Sequence, residues 1–136
     1  MKNNAKKFPL PTGEQWSRLP ERVLALETAP KPKIFRATIK QIGAESPVVT
    51  EEVNNTTGAT FTFGYVGNGM YSITSDIPLF KSTEKTIVNL SLGKFTVIPF
   101  YNWVNDSEIM LYTRDESLSL KDELLVNNML TIEILD

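Results

Sequence analysis

The sequence predicts a mainly β protein: an antiparallel β-sandwich or barrel of about eight short strands, preceded by an extended, short-helical N-terminal arm. Three observations predict it. Apolar and polar residues alternate with period 2 in short segments from Ile34 to the end of the 136-residue chain, which is the signature of half-buried strands. Turn residues separate these segments at a spacing of roughly 8 to 15 residues, and no helical pattern falls between them, which excludes βαβ units. Five of the eight prolines lie in the first 32 positions, so residues 1–33 read as an arm and residues 34–136 as the β domain.

In the arm, Phe8-Pro9-Leu10-Pro11 is extended, because proline fixes its own φ and pushes the preceding residue out of the helical region. Pro20 suits the first turn of a helix over about 20–28, in which Leu19, Val23 and Leu26 are spaced four and then three apart. Such a short helix is marginal alone in water, so it needs a surface to pack on. That surface is its own β domain, a sister subunit or a neighbouring protein. Trp16 sits in a segment with no core of its own and reads as an anchor for such an interface, with Phe8 beside it. Pro30 and Pro32 end the helix and stiffen the link to the domain.

Strand signals then follow in order. Phe35, Ala37 and Ile39 alternate with Arg36, Thr38 and Lys40. Gly43 to Pro47 turns the chain into Val48 to Val53, and Asn54 to Gly58 is a turn. Phe61, Phe63 and Tyr65 mark a third strand, and Gly67-Asn68-Gly69 leads into a fourth, Met70 to Thr74. Asp76 to Phe80 reads as a crossing loop with one helical turn. Lys85 to Leu92, Phe95 to Phe100 and Glu108 to Thr113 are further strands, with Asn102 to Ser107 as a loop. Asp115 to Glu123 is a loop or a single helical turn, and Asn127-Asn128 is a tight turn into the last strand, Leu130 to Leu135.

Composition narrows the chemistry. Cysteine and histidine are absent, which removes disulfides, thiolate nucleophiles, thiolate or imidazole metal sites and imidazole acid-base relays. The formal charge of −2 gives the whole chain no electrostatic reason to seek nucleic acid. It is unevenly spread: residues 1–33 carry seven basic and three acidic side chains, a net +4, and the rest carry seven and thirteen, a net −6. No stretch is long and apolar enough to span a membrane, and Met1 to Lys7 is followed by prolines rather than the apolar core of a secretory signal.

The remaining chemistry is thin. The paired carboxylates Glu51-Glu52, Asp115-Glu116 and Asp122-Glu123 are adjacent in sequence, so on a strand each pair points to opposite faces. A calcium site from Asp106, Glu108 and Asp115 lacks the spacing of a known loop. Gly64 to Gly69 lacks the Gly-Lys-Ser/Thr of a phosphate loop and reads as a hairpin turn. No catalytic residue, metal site or cofactor is expected. Tyr101, Trp103 and Tyr112 lie near one loop and are the candidate residues for a ligand platform, with core packing as their other use.

Pro9-Leu10-Pro11-Thr12, Gln15-Trp16, Leu19-Pro20-Glu21-Arg22-Val23 and Leu26-Glu27 resemble the N-terminal region of small β-rich proteins of tailed bacteriophages that infect Bacteroidetes. Ile39-Lys40-Gln41-Ile42-Gly43, Ser46-Pro47-Val48, Asn55-Thr56-Thr57-Gly58, Gly69-Met70-Tyr71-Ser72-Ile73 and Leu130-Thr131-Ile132-Glu133-Ile134 are similar to a recurring pattern in their bodies. The resemblance implies a virion structural protein made in the host cytoplasm: a head fibre, decoration, neck or tail accessory component. Its arm would attach it to capsid, neck or tail proteins, or to sister subunits in a dimer or trimer, through Phe8, Trp16, Leu19, Val23 and Leu26. The alternative expectation is a carbohydrate- or receptor-binding β module that uses Tyr101, Trp103 and Tyr112.

Overall fold

A computed structural model describes residues 31–91 and 93–135. The arm helix over about 20–28 and the residues Phe8, Trp16, Leu19, Val23 and Leu26 lie outside the described residues. A compact unit begins at Pro32 and holds eight strands: β1 (Lys33–Lys40), β2 (Val48–Asn55), β3 (Phe61–Gly67), β4 (Met70–Ser75), β5 (Thr86–Leu90), β6 (Ile98–Asn105), β7 (Glu108–Arg114) and β8 (Val126–Ile134). They form two four-stranded sheets, ordered β2-β1-β8-β5 and β3-β4-β7-β6, with every pairing antiparallel. The fold is thus a sandwich and not a closed barrel. No helix occurs among the described residues.

The alternation that marked the strands also builds the core. Phe35, Ala37 and Ile39 of β1 and Leu130, Ile132 and Ile134 of β8 face Tyr71 and Ile73 of β4 and Ile109 and Leu111 of β7, all buried. Each large side chain so buried stabilises the fold by roughly 1.5–3 kcal/mol relative to exposure. Phe80, from the crossing between β4 and β5, is fully buried among them. On the flank formed by β2 and β3, Phe61 packs on Phe35 with ring centroids 4.4 Å apart and on Phe80 at 6.4 Å. Strand β2 is an exposed edge whose pairing to β1 shifts register twice, between Arg36 and Ala37 and between Thr38 and Ile39. Such irregularity and the charges of Glu51 and Glu52 discourage a further strand from adding there.

Four sequence expectations are corrected. Asp76 to Phe80 bends without a helical turn. The sixth strand begins at Ile98, not Phe95, and continues through Asn102 and Trp103 to Asn105, so the expected loop shrinks to Asp106 and Ser107. Pro99 is tolerated there because β6 is an edge strand that pairs only with β7. The last strand begins at Val126, before the expected tight turn. Asn127 does adopt the positive φ that its type permits (57°), but as a bulge: Lys40 pairs with Val126 and Ile39 with Asn128, which leaves Asn127 over. Asn128 is fully buried because its own amide supplies partners, accepting from the Val126 amide (2.8 Å) and donating to the Ser91 carbonyl (2.9 Å).

The 115–125 segment is an ordered loop. Asp115 accepts from the amides of Ser117 (2.9 Å) and Ser119 (3.1 Å), and Arg114 bridges to Leu120. Asp122 fastens the loop to the β3–β4 hairpin. Its carboxylate accepts from the Gly69 amide (2.7 Å) and from the hydroxyls of Tyr65 (2.7 Å) and Tyr71 (2.9 Å). Gly69 has no alternative here: its φ is +69°, and a Cβ would sit 2.5 Å from the Lys121 nitrogen and 2.7 Å from the Thr113 oxygen. Glu123 turns away to accept from the Gly43 amide (3.0 Å), while its own amide donates to buried Gln41 (2.6 Å).

Candidate functional site

Two of the three candidate platform residues come together and the third does not. In the β6–β7 pairing, Tyr101 sits opposite Leu111 and Trp103 opposite Ile109, and both partners are core residues, so these two rings lie on the inner face. Phe100 sits opposite Tyr112 on the outer face, where their rings pack with centroids 5.4 Å apart. Arg114 reaches over Phe100 there, 5.5 Å from its centroid. A single platform of Tyr101, Trp103 and Tyr112 is therefore excluded by the parity of one strand pairing.

Tyr101 and Trp103 instead line a groove of about 310 Å³ on the flank where β5 and β6 are the unpaired edges of the two sheets. Thr86 and Val88 of β5 line its other side, with Thr83, Asn102 and Ile109. Trp103 is 42% exposed, yet its indole N–H donates to the Phe80 carbonyl at 2.6 Å, so the ring is held in one orientation while part of it meets solvent. The Tyr101 hydroxyl is sealed from solvent without a hydrogen-bond partner, and burial pushes it up to about 12. Thr86 donates its hydroxyl proton to the Ser82 carbonyl (2.8 Å), which leaves oxygen lone pairs to accept from a ligand. The lining holds no charged side chain.

A second groove, of about 690 Å³, adjoins it. Lys33, Lys81, Lys85 and Ser82 line it with Ile77, Pro78, Leu79, Thr86, Ile134 and Leu135, so Thr86 belongs to both. Sequence reading missed this cluster, because the three lysines come from the first strand and from the β4–β5 crossing, about 50 residues later in the chain.

The acidic candidates do not converge. Asp106 and Glu108 stand at the β6–β7 turn, whereas Asp115 lies seven residues along from Glu108, about 23 Å away at ~3.3 Å per residue of strand. No group of three or more His, Cys, Asp or Glu able to hold a metal ion occurs among the described residues. Asp122 and Glu123 are each engaged by donors from separate loops. Burial alone would raise the Asp122 carboxyl, but the hydrogen bonds from Gly69, Tyr65 and Tyr71 outweigh it and hold it below the usual carboxylate value. The same network raises the Tyr65 hydroxyl through its bond to Asp122, and the Tyr71 hydroxyl chiefly through burial. A carboxylate held ionised in this way serves as a fastening.

No family model, curated protein or solved structure matches the chain.

Proposed function

We propose that the β-sandwich is a non-catalytic binding module that takes a saccharide in the groove between β5 and β6. One observation carries this: the Trp103 ring, half in solvent and fixed by its bond to Phe80, stands in a groove rimmed by the uncharged hydroxyls of Thr83 and Thr86. Sugar rings present C–H faces that pack on aromatic rings and hydroxyls that exchange hydrogen bonds with neutral polar side chains. A preoriented ring loses little entropy on binding.

The virion setting, with the arm as the attachment element, is proposed on the resemblance of the sequence alone. The two readings are compatible for a particle component that also contacts a glycan surface. A glycan array with the wild-type protein and Trp103→Ala tests the saccharide reading. A saccharide-binding module gives a signal that the substitution abolishes. A pure assembly part gives no signal with either protein, and that result refutes the saccharide reading.

A further inference from the structure

We infer that the saccharide is acidic, a uronate-containing chain whose carboxylates are read by Lys81, Lys85 and Lys33. The inference rests on the saccharide reading and extends it. Three exposed lysines line the 690 Å³ groove, and among the described residues no carboxylate lines it and none of the three forms an ion pair. Yet residues 34–136 carry a net −6, so acidic partners for these lysines were plentiful in composition. Glu84 lies in the same turn but outside the lining. Like charges gathered at an exposed groove repel one another weakly, and a bound anion relieves that repulsion.

The two grooves meet at one short turn. Ser82 and Lys85 line the lysine side and Thr83 the aromatic side, with Thr86 common to both. The turn is fixed by hydrogen bonds: the Lys85 amide and the Thr86 hydroxyl both donate to the Ser82 carbonyl (3.3 and 2.8 Å), and the Leu135 amide donates to the Lys85 carbonyl (2.8 Å). A linear polymer lying over this turn sets one sugar ring against Trp103 and carries its next charged groups to the lysines. An acidic peptide would satisfy the lysines but has no use for the hydroxyl-rimmed aromatic groove, so a polymer with both a ring face and a carboxylate in each unit fits the pair of grooves better.

The test is calorimetric titration of the full chain with an oligogalacturonate, a neutral galactan oligosaccharide of equal length and polyglutamate. The variants are Lys81→Gln/Lys85→Gln and Trp103→Ala, each checked for retained fold by circular dichroism. The expected result is oligogalacturonate binding that falls about tenfold in the double lysine variant and weakens with salt, as exposed charge contacts do. It should be lost in Trp103→Ala, with polyglutamate binding at least tenfold more weakly. If the lysine variant binds oligogalacturonate as the wild type does, the acidic inference is overturned, although binding of either sugar through Trp103 would leave the saccharide reading intact. If no sugar binds, both fall. If polyglutamate binds as tightly and Trp103→Ala changes nothing, the lysines serve an acidic peptide and the inference is likewise overturned.

Discussion

Replacing Asp122 tests whether one carboxylate fastens the 115–125 loop to the sandwich. In Asp122→Ala the Gly69 amide, the Tyr71 hydroxyl and the Tyr65 hydroxyl all lose their acceptor. Tyr65 recovers water, since it is only half-buried, whereas Tyr71 is fully buried and keeps only the Thr113 hydroxyl beside it, so the cost falls toward the lower end of the range for a buried donor. An orphaned buried donor costs about 1–3 kcal/mol, so two affected donors give at most ~2–6 kcal/mol. Partial exposure of Asp122 itself points to the lower end. For a domain of this size ~2 kcal/mol lowers Tm by roughly 8 °C.

Asp122→Asn keeps an oxygen for Gly69 and Tyr71 and loses mainly the charge assistance, about 1 kcal/mol. Because the folded carboxyl is held below its unfolded value of about 3.9, its contribution is full at neutral pH. It is lost as pH falls below about 4 and through the folded value. The gap in Tm between wild type and Asp122→Asn, read by calorimetry from pH 7 to pH 2.5, should therefore close at the acid end. A gap that stays constant with pH, or an Asn variant as unstable as the Ala variant, refutes the fastening role.

Two further outcomes follow from close geometry. A Cβ on Gly64 would overlap the Ser72 hydroxyl oxygen but clear its Cβ at 3.8 Å, so Gly64→Ala should cost about 1 kcal/mol alone and almost nothing in the presence of Ser72→Ala; a double-mutant cycle in urea with no coupling would contradict this. Tyr101→Phe removes a sealed hydroxyl that has no partner, so urea unfolding should show unchanged stability or a gain of up to ~1 kcal/mol, and a loss above that size would mean the hydroxyl is bonded in solution.

The parts of the fold legible in the sequence were those governed by local alternation. Phe35-Ala37-Ile39, Phe61-Phe63-Tyr65 and Ile109-Leu111-Thr113 each carry one face to the core, and a period of 2 reports that directly. Asparagine misleads at two strand boundaries, for different physical reasons. Asn102 reads as a breaker, but on an edge strand its side chain looks outward and costs the ladder nothing. Asn128 reads as a turn former, but its amide replaces the missing partners of Val126 and Ser91 inside the core, which only the tertiary structure brings within reach.

The candidate site shows the same division. Grouping Tyr112 with Tyr101 and Trp103 used nearness along the chain, whereas a hairpin sorts side chains by parity about its turn. With Tyr101 opposite Leu111, a residue of the apolar alternation that marks the core, Tyr112 must fall on the other face, beside Phe100. That step needs the register of β6 against β7, which the breaker-like run Asn102 to Ser107 obscures. The groove itself needs one relation more, the placing of β5 over β6 as the free edges of two sheets. No pairing within either sheet records that relation, because the two strands touch only through the space between them. For this reason a binding flank of a sandwich is harder to read from sequence than its core: each sheet's alternation fixes what faces inward, and neither fixes which edges share a flank.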